Sequence, residues 1–392
     1  MERVEKLLKI IHRNRGKPVD IFRTTVDLQL HTSTTKTTTF FNIYIMLKNR
    51  MTDQLFLSTV HGIKSAQTPI WMMRQAGRYL AEYRAVRASQ KDFISFCLNP
   101  EQASAVTLQP IARYGFDAAI IFSDILIVPW AIKRNVQFKT NIGPLLDAMD
   151  RPDDIDRSCL CRLDEKLAPV GKALALTKTA LQGKTALIGF AGAPWTLITY
   201  MAEGGSSRDF PKARQWAWQE TKALEGLLSI LVEATVSFLS LQAKAGADVL
   251  MLFDSWASAV PASQRDWLVV KPARAIVEGV RANGHRQPMI GFPKGIGEGL
   301  IQYAAESGVD SVGLDHGVDP VWAGKNLPAK MPVQGNLDPL SLLNAGPEMF
   351  RDIDHILDAF HDRPHIFNLG HGITPPTPVE NVQKMIDHIR NR

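Results

Sequence analysis

Two arginines directly follow a short apolar run near residue 70, and they are the side chains in this sequence best suited to bind an anion. The run, residues 70–73, is Ile-Trp-Met-Met, and Arg74 and Arg78 then bracket Gln-Ala-Gly. A guanidinium group is a fixed fork of N–H donors that fits a carboxylate or a phosphate. Gly77 permits unusual backbone angles and lets a ligand approach closely. Taken alone, the pattern fits solvated arginines at the start of a helix equally well, because exposed arginines usually meet only water.

Asp124 is the second candidate, and it follows another apolar run at residues 118–122. An aspartate at the end of a strand is more often a helix N-cap than a catalytic group. The residues after Asp124 are Ile-Leu-Ile-Val-Pro, which is too apolar for an ordinary solvated loop. We therefore expect the carboxylate to lie in a partly dry site, where it must meet donors or a cation.

Three further polar side chains are weaker candidates. His371 lies between two glycines and is explained equally well as a turn residue. Tyr200 and Ser255, each taken singly, are more often ordinary hydrogen-bonding residues. Other polar residues also follow apolar runs and are either loop starts or parts of the same site: Ser123, Thr196, Asp254, Lys294, Asp315, His316, Asn336, Asp338 and Asn368.

Eight short apolar runs, many of them β-branched, are predicted to be the strands that position these side chains. They cover residues 70–73, 118–122, 186–190, 249–253, 289–292, 309–314, 333–335 and 365–369. Helical patterns lie between most of them, and strands alternating with helices indicate right-handed βαβ units and a parallel sheet. The sequence therefore predicts an α/β protein, a single (β/α)8 barrel with extra helices and loops. In such a barrel the chemistry gathers at the C-terminal ends of the strands. The third unit is the least regular, since residues 141–183 are long and carry turn signals.

The first fifty residues differ from the rest in composition. They hold ten Lys and Arg against four Asp and Glu, which accounts for the whole net charge of +6. The rest of the chain is neutral, so the basic pI is no argument for nucleic-acid binding. The apolar stretch at residues 40–47 is far short of the ~18 residues that a membrane span needs. We interpret residues 1–50 as an extension outside the fold, either an upstream in-frame start before Met51 or a transit peptide, and residues 51–392 as the barrel domain.

Several kinds of chemistry lack a sequence signal. Three cysteines without regular spacing indicate a reduced, cytoplasmic protein. Cys159 and Cys161 have no histidine at a zinc-binding spacing, and neither a Walker loop nor a dinucleotide fingerprint is present. The sequence therefore predicts no metal, no cofactor and no membrane span.

Four motifs together resemble the uroporphyrinogen decarboxylase family. They are Met-Arg-Gln-Ala-Gly-Arg-Tyr at residues 73–79, Ile-Phe-Ser-Asp-Ile-Leu at 121–126, Gly-Ala-Pro-Trp-Thr at 192–196 and Asn-Leu-Gly-His-Gly at 368–372. The likeness runs in order from about Met51 to the C-terminus, and the first two motifs are highly specific. Residues 1–50 have no counterpart in it.

The resemblance implies a cofactor-free, homodimeric barrel enzyme of haem and tetrapyrrole synthesis. Such an enzyme removes CO₂ from the four acetate side chains of uroporphyrinogen and leaves methyl groups, giving coproporphyrinogen. By resemblance, Arg74 and Arg78 bind substrate carboxylates and Asp124 holds the central pyrrole N–H groups. The other residues matched to the substrate site are Gln75, Ala76, Gly77, Arg87, Tyr200, Ser255 and His371.

The proton donor and two alternative functions stay open at this point. Arg74, Tyr200 and His371 are candidate donors, and His371 has the most suitable unperturbed pKa, about 6.5. One alternative is a methyltransferase of the same barrel superfamily, which needs zinc held by His and Cys. The other is a non-catalytic tetrapyrrole-binding barrel, which has no use for a desolvated Asp124.

Overall fold

Seven parallel strands curl around a common core in the computed structural model, which describes residues 55–139 and 142–392. They hydrogen-bond in the order β1-β4-β5-β6-β7-β8-β9, which is chain order apart from the separate β2–β3 hairpin. The predicted extension, residues 1–50, lies outside the described residues. The strands are β1 Ala118–Ile120, β2 Val136–Lys139, β3 Gly143–Leu146, β4 Ala186–Gly192, β5 Val249–Asp254, β6 Met289–Pro293, β7 Ser311–Gly313, β8 Val333–Gln334 and β9 His365–Ile366.

The segment around Ile70 lies between the last and the first strand of this sheet. Ile70 pairs with Phe367 in a parallel bridge, and the Phe367 N–H donates to Pro69 O at 2.8 Å. On the other side, the Asp117 N–H donates to Ile70 O at 2.9 Å, and Asp117 also ion-pairs with Arg390 near the C-terminus. Ile70 thus supplies the eighth strand position of the barrel, and the predicted (β/α)8 barrel is confirmed.

The predicted strand at residues 70–73 is nevertheless wrong in extent, because only Ile70 makes a strand-type bridge. The Met72 N–H donates to Gln75 Oε1 at 3.2 Å and the Met73 N–H to Asn368 Oδ1 at 3.0 Å. Side chains therefore replace the backbone partners that a ladder would supply, and the chain turns instead of continuing the strand.

Helices cover the outside of the barrel, and several begin at residues that cap them. Asn99 accepts from the Gln102 N–H at 3.0 Å and precedes Pro100 at the first position of its helix. The helices are α1 Leu55–Val60, α2 Ala81–Ala88, α3 Phe93–Cys97, α4 Pro100–Tyr114, α5 Ile127–Ala131, α6 Leu163–Leu181, α7 Pro194–Glu203, α8 Pro211–Gln219, α9 Thr221–Lys244, α10 Lys271–Ala282, α11 Gly299–Glu306, α12 Pro320–Asn326, α13 Pro339–Asn344, α14 Pro347–Ala359 and α15 Val379–Arg390.

The third unit contains more regular structure than its sequence suggests. The β2–β3 hairpin and a 3₁₀ turn at Arg157–Arg162 precede α6, a helix of 19 residues. Pro169 lies inside α6 and masks the helical pattern in the sequence. The expectation of an irregular segment over residues 141–183 is therefore wrong for most of it.

One helix, α9, is long and apolar enough to cross a bilayer by length and composition alone. In the fold it packs against α6, α10 and β4, and Leu227, Leu231 and Phe238 on its inner face are buried. An apolar helix of this kind is typical of a helix that packs against the strands of a barrel.

Candidate active site at the barrel mouth

The loop after Ile70 and the loop after β9 meet at the C-terminal end of the barrel. The Ile373 N–H donates to Met73 O at 3.0 Å, and Asn368 holds the Met73 N–H from the other side. A Cβ atom placed on Gly372 would lie 2.3 Å from Arg74 Cδ, so the Arg74 side chain packs directly on this glycine. The two motifs that are far apart in sequence, residues 73–79 and 368–372, therefore form one surface.

The backbone of Arg74 is in the left-handed region, with φ 62°. A non-glycine residue in this conformation is strained, and such strain is concentrated at functional sites. Gly77 lies close below, because a Cβ atom there would be 2.8 Å from Arg74 O. The Arg-Gln-Ala-Gly spacing thus builds a tight turn that presents Arg74 at the mouth.

Replacing Gly372 by Ala is expected to displace the Arg74 side chain and to lower kcat/KM about tenfold, since small misplacements at a site are costly. The backbone of Gly372 is not in the left-handed region, so the substitution tests contact with Arg74 and not backbone strain. Gly226→Ala in α9 is the matched control, because nothing lies within 4 Å of its added methyl group. Steady-state kinetics and thermal unfolding of both variants make the measurement. A Gly372→Ala protein with parental kinetics would show that Arg74 need not hold this position.

The other predicted residues of this segment are distributed between the surface and the core. Arg78 is exposed, and Arg84 Nη1 supports its loop by donating to Arg78 O at 2.7 Å. Arg87 is half-buried on α2 and donates to Gln90 O at 3.2 Å. The Gln75 side chain is fully buried and donates to Ala118 O at 3.1 Å. Gln75 therefore positions the turn, and its side chain faces the fold instead of the mouth.

Asp124 uses one carboxylate oxygen locally and leaves the other without a hydrogen bond among the described residues. Oδ1 accepts the Leu126 N–H at 2.8 Å, a turn that leads into α5. Burial raises the pKa of Asp124 from its ordinary 3.8 to about 6, and the Leu126 N–H and the charge of Arg74 offset only part of this effect. Asp124 is half-buried in the structure, and the charge of Arg74 acts on it.

Tyr200 lies in α7, which follows β4, and Ser255 follows β5; the two are joined through Trp256. The Tyr200 ring lies 6.3 Å from the Trp256 ring, and burial raises the pKa of Tyr200, so it stays a neutral phenol. Thr196 Oγ1 donates to Asp254 Oδ1 at 2.5 Å and accepts the Trp256 N–H at 3.1 Å. This pair fixes the turn that carries Ser255, which is half-buried.

His371 is half-buried, and it lies among cations from three other loops. Burial is the largest cause of a lowered pKa at His371, and the charges of Arg74, Lys294 and His316 lower it further, to about 3. The imidazole is therefore neutral at pH 7 before a substrate binds. A carboxylate placed among these groups would raise this pKa again.

The mouth carries more positive than negative charge in the part of the chain that the structure describes. Arg74, Arg78 and Lys294 have no carboxylate within ion-pair distance there, although many other Lys and Arg side chains do, among them Arg113, Lys178 and Arg281. Unpaired cations that converge on a concave site favour an anionic ligand. Arg74 is the one cation whose charge acts on Asp124 among the described residues.

Asp254, Lys294 and His316 are residues of the mouth that the sequence gives only as loop starts or parts of the same site. Each follows a predicted strand, so position was the available signal, but no motif distinguishes them from loop starts. Burial raises the pKa of Asp254 to about 7. The clustering of Lys294 and His316 around His371 depends on three loops that are distant in sequence.

The fold and the mouth define a (β/α)8-barrel enzyme for an anionic small molecule. The sequence model of the family described as uroporphyrinogen decarboxylase (URO-D) matches residues 51–392 of this chain. The chain belongs to the uroporphyrinogen decarboxylase family.

Individual relatives agree with this membership. A uroporphyrinogen decarboxylase of Maricaulis maris is 46% identical over 344 residues, covering 88% of this chain and 99% of the relative. One of Granulibacter bethesdensis is 47% identical over 326 residues, covering 82% of this chain and 94% of the relative. Among solved structures, a methyltransferase from Methanosarcina mazei superposes with a TM-score of 0.69 at 16% identity, covering 87% of this chain and 98% of that one. This last likeness shows the barrel fold alone.

Proposed function

We propose that this protein is a carboxy-lyase that converts uroporphyrinogen III to coproporphyrinogen III by decarboxylating its four acetate side chains. Relatives named uroporphyrinogen decarboxylase, 46% and 47% identical over most of the chain, support this activity. The observation that supports this site is the charge of Arg74 acting on the half-buried Asp124, with no ion pair to Arg74 or Arg78 among the described residues.

The substrate has the complementary charge pattern. Uroporphyrinogen is a flexible ring whose four pyrrole N–H donors converge inward and whose carboxylates point outward. An ionised carboxylate offers about four lone-pair sites, so the free side of Asp124 can receive the ring centre. Arg74 and Arg78 then bind outer carboxylates, each through two parallel N–H bonds.

The reaction needs an electron sink, and the pyrrole ring provides it. Protonation of a ring carbon makes the ring cationic, and the electrons of the breaking bond between the acetate methylene and its carboxylate flow into it. CO₂ leaves, the resulting exocyclic methylene takes up a proton to become methyl, and the ring loses its added proton. Ionised Asp124 stabilises the cation in a site poor in water, where fixed charges act most strongly. This chemistry requires no cofactor.

Proton delivery is assigned to the groups that a bound carboxylate would activate. His371 is neutral in the free protein because its pKa is lowered to about 3. A substrate carboxylate that offsets the charges of Arg74 and Lys294 would raise this pKa, so that His371 can serve as an acid. Tyr200, a neutral phenol beside Asp124, is the second donor candidate.

A pH profile follows from the raised pKa of Asp124. The ring-binding form is the ionised one, so kcat/KM is expected to fall about tenfold per pH unit below about pH 6. An ordinary aspartate would give this limb near pH 4. Rates measured between pH 5 and pH 8 locate it, and a flat profile over this range would contradict a functional, desolvated Asp124.

The protein is also proposed to act in the cytoplasm as a homodimer. Cys97, Cys159 and Cys161 are all free thiols, as in a reducing compartment. Large apolar side chains such as Trp218, 62% exposed, and Leu340, 55% exposed, are candidates for burial by a second subunit. Sedimentation equilibrium measures the mass directly, and a monomer at micromolar concentration would remove the dimer from this proposal.

Residues 51–392 are proposed to be sufficient for folding and activity. Every strand of the barrel lies after Met51. Residues 31–39 are rich in Ser and Thr and cannot form a core. A protein of residues 51–392 is expected to match the full chain in kcat/KM and in unfolding temperature. An insoluble fragment, or one that is inactive where the full chain works, would contradict this proposal.

Anaerobic incubation with uroporphyrinogen III, followed by oxidation and chromatography, tests the activity. The expected result is conversion of the octacarboxylate to the tetracarboxylate. Unchanged substrate with a folded protein would leave the non-catalytic binding barrel. Metal analysis of the same sample addresses the methyltransferase alternative, which requires bound zinc.

A further inference from the structure

The loops that follow β6 and β7 are tied together by one buried carboxylate. Asp315 Oδ2 accepts the Gly295 N–H at 2.7 Å, and Asp315 Oδ1 accepts the Gly317 N–H at 2.9 Å. These two glycines directly follow Lys294 and His316. Asp315 therefore holds the backbones of Lys294 and His316 side by side at the mouth.

Lys294 is fixed at its backbone, and its ammonium group has no counter-ion among the described residues. The Lys294 N–H donates to Asp254 O at 3.0 Å, and its Nζ lies 5.8 Å from the centroid of the Trp256 ring. The residue is half-buried, and its ammonium has neither a hydrogen bond nor an ion pair among residues 55–139 and 142–392. A half-buried charge of this kind is stabilised by an anion that arrives with the ligand.

His316 lies against the glycine that precedes His371. A Cβ atom on Gly370 would be 2.2 Å from His316 N, so the two backbones touch. Lys294, His316 and Arg74 all act on the charge state of His371. The β6 and β7 loops thus face the same space as the Arg74 turn.

We propose that Lys294, with His316 beside it, forms a second carboxylate-binding subsite at the ends of β6 and β7. The ligand class is an alkyl carboxylate, and the proposal rests on the proposed function because uroporphyrinogen carries such a group on both β-carbons of each pyrrole ring. Two arginines can bind only two of these carboxylates bidentately. Lys294 takes a further one and fixes the orientation of the macrocycle, and the His316 imidazole donates to the same group.

The test uses Lys294→Met, which keeps most of the side-chain length and removes its charge. The KM for uroporphyrinogen III is expected to rise tenfold or more with kcat changed less than threefold, because the contact exists in both ground and transition states. Lys294→Arg, which restores a cation, is expected to recover most of the affinity. Lys184→Met is the matched control: Lys184 is exposed and precedes β4, at the opposite end of the barrel, so its kinetics should equal those of the parent.

A binding measurement separates failure of this subsite from failure of the proposed function. Uroporphyrin, the stable oxidised octacarboxylate, is titrated against each protein by fluorescence at low and high salt. Tenfold weaker binding by Lys294→Met, with a difference that shrinks at high salt, supports the subsite even if no protein decarboxylates. If the parent decarboxylates and Lys294→Met binds and turns over within twofold of it, the subsite is refuted and the proposed function stands.

Discussion

Asp124→Asn is expected to lower the rate of acetate decarboxylation by about 10²–10³-fold, because it removes a preorganised charge that stabilises the ring cation. The variant keeps a carbonyl oxygen for the Leu126 N–H, so the turn into α5 survives. On its other side it presents an amide NH₂ to the pyrrole donors instead of an acceptor. Turnover should therefore suffer more than binding.

Stability gives an independent check on this substitution. The pKa of Asp124 in the fold, about 6, is above its ordinary 3.8, so the folded state favours the protonated form. The ionised carboxylate then costs the fold on the order of 3 kcal/mol above about pH 6, and this cost disappears below about pH 4. Asp124→Asn is expected to unfold at the same temperature as the parent or higher at pH 8, and the two should converge at pH 4.

Two further variants define what the loss means. Asp124→Glu keeps the charge but moves it by about 1 Å, which typically costs about 10²-fold. Asp319→Asn is the control for a capping aspartate, because Asp319 Oδ1 accepts the Val321 N–H at 2.7 Å in a similar turn. If Asp124→Asn decarboxylates within a few-fold of the parent, the ring-cation role is wrong. If it unfolds, Asp124 is a helix cap.

Arg78→Lys is expected to lower kcat/KM by about 10–100-fold in a folded protein. Lysine keeps the positive charge but loses the fork that binds both oxygens of a carboxylate, and one charge-assisted hydrogen bond contributes about 1.5–3 kcal/mol. Arg78 is exposed and ion-pairs with no carboxylate among the described residues, so the fold loses little.

Arg286→Lys is the matched control for Arg78. Arg286 is also exposed, its guanidinium donates to Arg281 O at 2.6 Å, and it precedes β6 at the opposite end of the barrel. Kinetics of both variants across substrate concentration show whether the loss lies in KM or in kcat. Equal activity of Arg78→Lys and the parent would mean that Arg78 meets only water.

The barrel could be predicted from the sequence because each of its strands is recognised from a local pattern of residues. Each apolar run is short and β-branched, and each is followed by a helical segment, so eight units could be counted without any contact being known. The rule that chemistry lies at the C-terminal strand ends then placed Arg74, Asp124 and His371 on one face. The identity of the residues at that face needed the family resemblance.

The features that the sequence did not predict depend on distant partners. The strand at Ile70 ends early because Asn368, from the other end of the chain, accepts the hydrogen bond of the Met73 N–H. The Gln75 side chain faces the core because its Nε2 donates to the Ala118 carbonyl oxygen. Burial lowers the pKa of His371, and the charges of Arg74, Lys294 and His316, which come from three other loops, lower it further.

The measurement that tests the account most directly is the mass of the product after exhaustive anaerobic turnover, together with the CO₂ released. The ring can accept the electrons of an acetate carboxyl group, which is separated from it by a single methylene. It cannot accept those of a propionate, whose carboxyl group is one carbon further away. The proposed reaction therefore gives four CO₂ per macrocycle, four new methyl groups and four retained propionates. A product that has lost propionate carboxyl groups, or no CO₂ from a folded protein that binds uroporphyrin, would contradict it.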